Sequence, residues 1–270
     1  MATSGRMKGK RGLIMGVAKG LVISGCIAEV LHKAGAELAF TYAGETFKKR
    51  VEPLVAPLNP AAVIDCDVTQ QGSIDAAFAE LKTKWDSIDF LVHAIAFSDK
   101  NQLTGRYIDT TPENFQNTLN ISAYSFTAVA QRAEKMMPKG GSMVTLTYYG
   151  AEKVMPHYNV MGVAKAALEA ITRYMAEDLG KQGIRVNSIS AGPIKTLSFA
   201  GISDSRYILK WNELNSPLRR AVTIEEVGNT ALYLLSDLGS AVTGENIHVD
   251  AGYHVVGMKA VDAPDIATTK

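Results

Sequence analysis

Apolar and polar positions fall in repeating blocks along this chain: a short β-branched or apolar run, a turn, then a longer stretch whose apolar residues recur every three or four positions. The short runs are RGLIMGV (11–17), ELAFTY (37–42), AAVIDC (61–66), DFLVHAI (89–95), GSMVTLTY (141–148), RVNSISA (185–191) and ENIHVDAG (245–252). Helical spacing lies near 23–34, 45–57, 71–85, 112–136, 158–181, 203–214 and 223–236. LIMGV, LAF and FLVHAI are apolar without alternation, as befits strands covered on both faces. The pattern predicts an α/β fold: a single doubly wound domain over residues 1–270, its seven-stranded parallel sheet flanked by helices on both faces. In such sheets ligands sit beyond the carboxyl ends of the strands, so functional residues are expected just after 17, 42, 66, 95, 148 and 191.

Composition narrows the classes of function. A net charge of +1 on 270 residues provides no global field for nucleic acid or an anionic membrane. No segment approaches the roughly 20 apolar residues that span a bilayer, and the apolar run near the N-terminus is short and broken by glycine, more like a buried strand than a secretion signal. Cys26 and Cys66 belong to no zinc-type cluster. A cytoplasmic protein with no structural metal, no membrane insertion and no nucleic-acid partner is expected.

Chemistry first gathers at the strand ends. GVAKGLVISGC (16–26) places Gly16, Gly20 and Gly25 between a strand and a helix. Glycine lets backbone approach a pyrophosphate, and a helix start presents free N–H groups. The spacing is not G-x-G-x-x-G, so ordinary turn chemistry remains open for this segment. After the second strand come Ala43, Gly44 and Glu45; Glu45 would repel a 2′-phosphate and favour NADH, whereas Lys48, Lys49 and Arg50 would attract one, or form a solvated face. Asp67 and Val68 suit an adenine pocket, with a turn or capping role for Asp67 as the alternative. Ala94 and Ala96 would let the loop after the fourth strand pass a flat cofactor, while His93, inside an apolar strand, reads as a satisfied core histidine.

The stretch LTYYGAEKVMPHYNVMGVAKAALEA (146–170) holds the strongest candidates. Tyr158 and Lys165 are seven residues apart, which on a helix means about 20° of net rotation and roughly 10.5 Å of rise, so both face one ligand without touching. A phenol is a good donor to an incipient oxyanion, and an ammonium can grip ribose hydroxyls. Packing of the aromatic residue and solvation of the lysine is the alternative from these residues alone.

With these motifs in view, the chain resembles the bacterial enoyl-acyl-carrier-protein reductases, a divergent branch of the short-chain dehydrogenase/reductases. The likeness is carried by RGLIMGVA (11–18), AELAFTY (36–42), CDV (66–68), HAIAFSDK (93–100), residues 146–170, RVNSISAGPIKTLSFAGI (185–202) and SPLRRAVTIEEVGNTALYLLSDL (216–238). Most diagnostic is Tyr158-x6-Lys165, since ordinary members show Y-x3-K with an upstream serine near the place that Tyr148 occupies here.

The resemblance implies a Rossmann-type homotetramer that reduces a trans-2-enoyl thioester on acyl carrier protein in type II fatty-acid elongation. NADH is the expected cofactor, with NADPH left open. It implies catalytic roles for Tyr158, Lys165 and Tyr148. It also implies a cofactor site of Gly16, Val22, Ile23, Ala43, Asp67, Val68, Ala94, Ile95, Lys165, Ile194 and Thr196, and an acyl pocket of Ala96, Phe97, Tyr148, Tyr158 and Met161. Tyr149 matches a variable position. A mobile loop about 195–210 would cover the ligands, with Arg206 and Lys210 facing the carrier protein. One departure stands out: Val22 replaces a serine that would reach the pyrophosphate, and Cys26 replaces a close-packing glycine. A ketoreductase, or a nucleotide-sensing protein without catalysis, are the competing functions. The seven-residue spacing speaks against the first; Val22 and Cys26 are the only support for the second.

Overall fold

The computed structural model describes residues 5–17, 23–194 and 205–266. Seven parallel strands form one sheet: β1 (Arg11–Met15), β2 (Glu37–Tyr42), β3 (Ala62–Asp65), β4 (Phe90–His93), β5 (Gly141–Thr147), β6 (Ile184–Ala191) and β7 (Asn246–Val249), in the order β3-β2-β1-β4-β5-β6-β7. The chain lays β1, β2 and β3 outward in one direction, then returns to set β4 on the other side of β1. The switch in direction opens a crevice above β1 and β4.

The described helices are α1 (Ile23–Lys33), α2 (Glu45–Val55), α3 (Gln71–Lys82), α4 (Pro112–Leu119), α5 (Ser125–Ala133), α6 (Asn159–Gly180), α7 (Ser205–Asn215) and α8 (Ile224–Leu235). Alternate residues of each central strand feed two separate cores. Ile14, Phe90, Val92 and Val144 pack with Ile27 and Leu31 of α1, Val51 and Val55 of α2, and Val227 and Ala231 of α8. Leu13, Met15, Leu91 and Met143 pack with Ile74 and Leu81 of α3, Val129 of α5 and Leu168 of α6. This is why the strands read as unbroken apolar runs: each face meets a helical layer. Helix α8 opens with a capping box, Thr223 and Glu226 bonding each other's backbone N–H, and Arg220 grips the same carboxylate at 2.9 and 2.6 Å, which holds it down to about 2.

The predicted elements need two corrections. Several strand runs were expected to continue one or two residues past the observed ends, as at 16–17, 94–95 and 148. Those residues have crossed the carboxyl edge and left the ladder, Gly16 turning through a φ of +89° and Tyr148 still extended. The single helix expected over 112–136 is α4 and α5 joined by a π-helical turn, Asn120–Tyr124, with a last 3-10 turn at Glu134–Met136. Hydroxyls take over the local bonding at the bulge: Ser125 donates to the Ile121 carbonyl at 2.6 Å, and Ser122 donates to the Phe97 carbonyl at 3.0 Å while accepting the Phe97 N–H at 2.9 Å. An apolar period does not reveal one extra residue in a turn, whereas π-bulges are frequent beside functional sites.

Candidate active site

The carboxyl edge of the sheet carries the residues expected to hold a dinucleotide. Gly16 closes the end of β1, and a Cβ there would lie 2.1 Å from the Ala94 carbonyl oxygen, so only glycine lets the chain leaving β1 lie against the end of β4 at this point. Around this point Gly16, Ile23, Asp67, Ala94, Ile95 and Ile194 are half-buried, Ala43 is exposed and Val68 is buried. The small residues Gly16, Ala43 and Ala94 leave room at this edge for a long, flat ligand, so the residues present suit a dinucleotide. Val22 and Thr196 lie outside the described residues, as do 195–204 of the expected loop; its remainder begins α7.

Asp67 serves its own turn: Oδ1 accepts from Thr69 N–H at 2.9 Å and Thr69 Oγ1 at 2.7 Å. Near the end of β2, Asp65 accepts the Gly44 N–H at 2.9 Å, and Glu45 stands 3.7 Å from Lys48 in an exposed pair. Cys26 is half-buried with its thiol pushed up by burial. The close approach between α1 and α8 is provided from the other side, because a Cβ on Gly228 would come within 2.9 Å of Val30 and 3.5 Å of the Cys26 sulfur. A glycine of α8 thus makes room for the Cys26 side chain on α1.

His93 is fully buried, 3.1 Å from Thr145 Oγ1 and 2.8 Å from Ser125 Oγ. Burial and the nearby Lys165 charge push it down to about 3. The ring is neutral, and it ties β4 to β5 and α5 as a core histidine. The loop after it is fixed by Ser98, which accepts from Thr118 Oγ1 at 2.9 Å and Asn114 Nδ2 at 3.4 Å. This brings Ala96 and Phe97 to the surface, Phe97 51% exposed.

The other side of the crevice is built by β5 and α6. Tyr148 leaves β5 in extended backbone, and a 3-10 turn at Tyr149–Ala151 redirects the chain. Tyr158 sits at the N-cap of α6, and its ring meets that of Tyr148 edge-on at 5.1 Å between centroids and 81° between planes. Met161 and Ala164 complete this cluster, with Leu103, Leu119 and Met155 against it. Burial raises both hydroxyls above the usual phenol range; for Tyr158 the neighbouring Tyr148 and Glu169 add to it, and for Tyr148 so do Tyr253 and Asp250. Near neutral pH both are therefore phenols that can donate. Tyr149 instead points away, donating to the His254 carbonyl at 3.1 Å and packing edge-on against Tyr253.

Lys165, two turns into α6, is 7% exposed, and its Nζ donates to the Leu146 carbonyl at 2.7 Å. An ammonium has three N–H donors, so this anchor at the carboxyl end of β5 leaves donors for a ligand. Burial lowers Lys165 to about 8, against an opposing pull from Glu169, which accepts from Thr147 Oγ1 at 2.7 Å.

Two glycines that the sequence did not single out set this geometry. A Cβ on Gly150 would fall 2.4 Å from Tyr158 Cδ1 and 3.3 Å from Tyr148 Cδ1, and one on Gly162 would fall 2.7 Å from the Gly150 carbonyl oxygen. Each lies inside the quoted motif, but only the folded arrangement shows that both must lack a side chain. Among the described residues no group of three or more His, Cys, Asp or Glu is arranged to hold a metal ion, and no helix is long and apolar enough to cross a membrane.

A parallel sheet in this order, a glycine where β1 ends at the switch point and a tyrosine-lysine pair on one helix define a short-chain dehydrogenase/reductase type of dinucleotide-dependent oxidoreductase. The family model described as enoyl-(acyl carrier protein) reductase matches residues 16–254, and the chain belongs to that family. It is 67% identical over 267 residues to the NADH-dependent enoyl-acyl-carrier-protein reductase 1 of Rhizobium meliloti, covering 99% of this chain and 98% of that one. Identity to the NADH-dependent FabI of Bacillus subtilis is 52% over 251 residues, covering 92% and 97%. The crystal structure of the Anaplasma phagocytophilum reductase in complex with NAD superposes with a TM-score of 0.93 at 57% identity, covering 98% of this chain and all of that one.

Proposed function

We propose that this chain reduces trans-2-enoyl-acyl-carrier-protein to the saturated acyl-carrier-protein with NADH, in fatty-acid elongation, working as one dinucleotide-binding and catalytic domain in the cytoplasm. The observation that carries the reading is the buried, protonated Tyr158 packed edge-on to Tyr148, on the same helix as a buried Lys165 anchored at the strand end. When bound, NADH supplies a hydride to the substrate's β-carbon. Tyr158 then donates a hydrogen bond to the thioester oxygen, where negative charge gathers as that bond forms, in a site where water screens little, and the resulting enolate takes up a proton at its α-carbon to give the saturated thioester. Tyr148 lines the acyl pocket with Ala96, Phe97 and Met161 and orients the substrate. Lys165 holds the nicotinamide ribose through the N–H donors not given to Leu146. Gly16, Ala43, Asp67, Val68, Ala94, Ile95 and Ile194, with Ile23, Val22 and Thr196, make up the rest of the cofactor site.

Glu45, the first residue of α2, supports NADH over its phosphorylated counterpart, since its carboxylate would repel a 2′-phosphate and its pairing with Lys48 at 3.7 Å engages a cation that would otherwise attract one. The acidic carrier protein would meet Arg206 and Lys210, which with Tyr207 and Ile266 line a hollow beside α7. A homotetramer is supported by the edge strand β7, half-buried along its whole length, and by Tyr174 of α6, 76% exposed.

The test is NADH oxidation with crotonyl thioester and with acetoacetyl thioester. Turnover of the first is expected; turnover of the second alone would make the protein a ketoreductase, and lack of NADH binding in calorimetry would leave a non-catalytic protein.

A pH effect follows from Lys165. Its folded pKa, about 8, lies below the usual lysine value, so in the free enzyme its charge is complete below pH 7 and fades through pH 8–9. A ribose-gripping, phosphate-attracting ammonium is favoured by bound NADH, so binding above pH 8 must take up a proton. NADH Kd is expected to be flat at pH 6–7 and to rise by up to tenfold per pH unit above pH ~8. Calorimetry across pH 6–9.5 checks it; Lys165→Met should bind weakly with that slope lost.

A further inference from the structure

The residues on either side of Tyr158 both have positive φ, His157 at +57° and Asn159 at +37°. This conformation is unfavourable for side-chain-bearing residues, although Asn and His are among the types enriched there. Tyr158 stands at the N-cap of α6 with no side-chain cap to hold it, so the local turn needs support from elsewhere. The half-buried Asn159 provides it. Its Nδ2 donates to the carbonyls of Gln102 and Gly105, both at 3.3 Å, and thereby uses both amide protons on one loop. Between those two carbonyls lies Leu103, which packs on the cluster of Tyr158, Met161 and Ala164. The loop returns the connection through Gln102, whose Oε1 accepts the Thr111 N–H at 3.1 Å just before α4.

We infer that Asn159 is a positioning residue: its amide clamps the 102–105 loop to the turn carrying Tyr158, so that Leu103 backs the Tyr158 ring and fixes the direction of its hydroxyl. The inference rests on Tyr158 being the donor to the thioester oxygen. It assigns Asn159 no contact with the substrate; its effect passes through the turn and Leu103.

Asn159→Gly tests it, because glycine tolerates the positive φ and only the amide is removed. With crotonyl thioester, kcat should fall about tenfold, as expected for a small misplacement of a catalytic group, with KM for NADH and its Kd within about twofold of the parent. Leu103→Ala should slow the enzyme similarly, and the double variant should be no slower than the slower single one, since both act on one ring. Tyr158 labelled with a 3-fluoro group provides a readout independent of turnover: its fluorine resonance should move and broaden in Asn159→Gly. Parental kcat with an unmoved resonance, or losses that multiply in the double variant, would overturn the inference. If the parent protein does not reduce crotonyl thioester, the proposed reaction fails, and the fluorine signal alone then decides whether the clamp holds the ring.

Discussion

Replacing Tyr158 with phenylalanine is expected to lower kcat on crotonyl thioester by about 10²- to 10³-fold, the usual loss for one donor aimed at a developing oxyanion. NADH affinity should stay within about twofold, because Lys165 and the glycine-floored crevice are untouched. The ring remains, so the edge-on packing against Tyr148 remains, and the fold should lose little stability. Tyr149→Phe is the control. That hydroxyl is spent on the His254 carbonyl at 3.1 Å, so its removal should reduce stability by about 1 kcal/mol and leave kcat nearly unchanged. Steady-state kinetics on the two variants, with thermal melts, provide the comparison. Equal small effects on kcat would reduce Tyr158 to a packing residue.

Gly150→Ala is expected to do nearly as much damage without removing any functional group. The new Cβ would sit 2.4 Å from Tyr158 Cδ1, a distance no carbon pair tolerates, and the other contact, Tyr148 Cδ1 at 3.3 Å, leaves no room on that side. One ring must move by about an ångström, and displacement of that size costs roughly 10²-fold in rate. Overpacking should also destabilise the fold by about 1–3 kcal/mol. The decisive measurement is the double variant: with Tyr158→Phe already in place, adding Gly150→Ala should slow the enzyme little further, because there is no donor left to misplace. A full, independent loss in both backgrounds would mean that Gly150 acts elsewhere, most directly through the Gly162 contact with its carbonyl.

The contrast between these variants shows how far local pattern reaches. Strand β2, Glu37–Tyr42, is legible in its apolar run alone, because a strand covered on both faces has few polar positions to blur its ends. That Tyr158 and Lys165 face the same way is legible in their spacing along one helix, a local property, whereas their proposed roles are read from the resemblance of the surrounding motif. The π-helical turn at Asn120–Tyr124 was not, since the hydroxyl of Ser122 that stabilises it bonds to Phe97, 25 residues away. Gly150 and Gly162 passed as small residues in a motif. Their importance is a matter of which atoms stand 2 to 3 Å from an absent Cβ, and those atoms belong to a strand-end turn and a helix that only the packed sheet brings together.

By itself, the sequence determined the α/β class and the alternation of strands and helices, consequences of period along the chain; the common facing of Tyr158 and Lys165 follows from their spacing, and the roles proposed for them follow from the resemblance of their motif to a known family. Only the tertiary structure decided their chemical state. Burial raises the Tyr158 hydroxyl above the usual phenol range and lowers Lys165 to about 8, and Asn159 joins a distant loop to the turn carrying Tyr158. The physical reason is range: hydrophobic period and helical rise act over a few residues, whereas desolvation, steric exclusion and long-range hydrogen bonds exist only once the chain has folded back on itself.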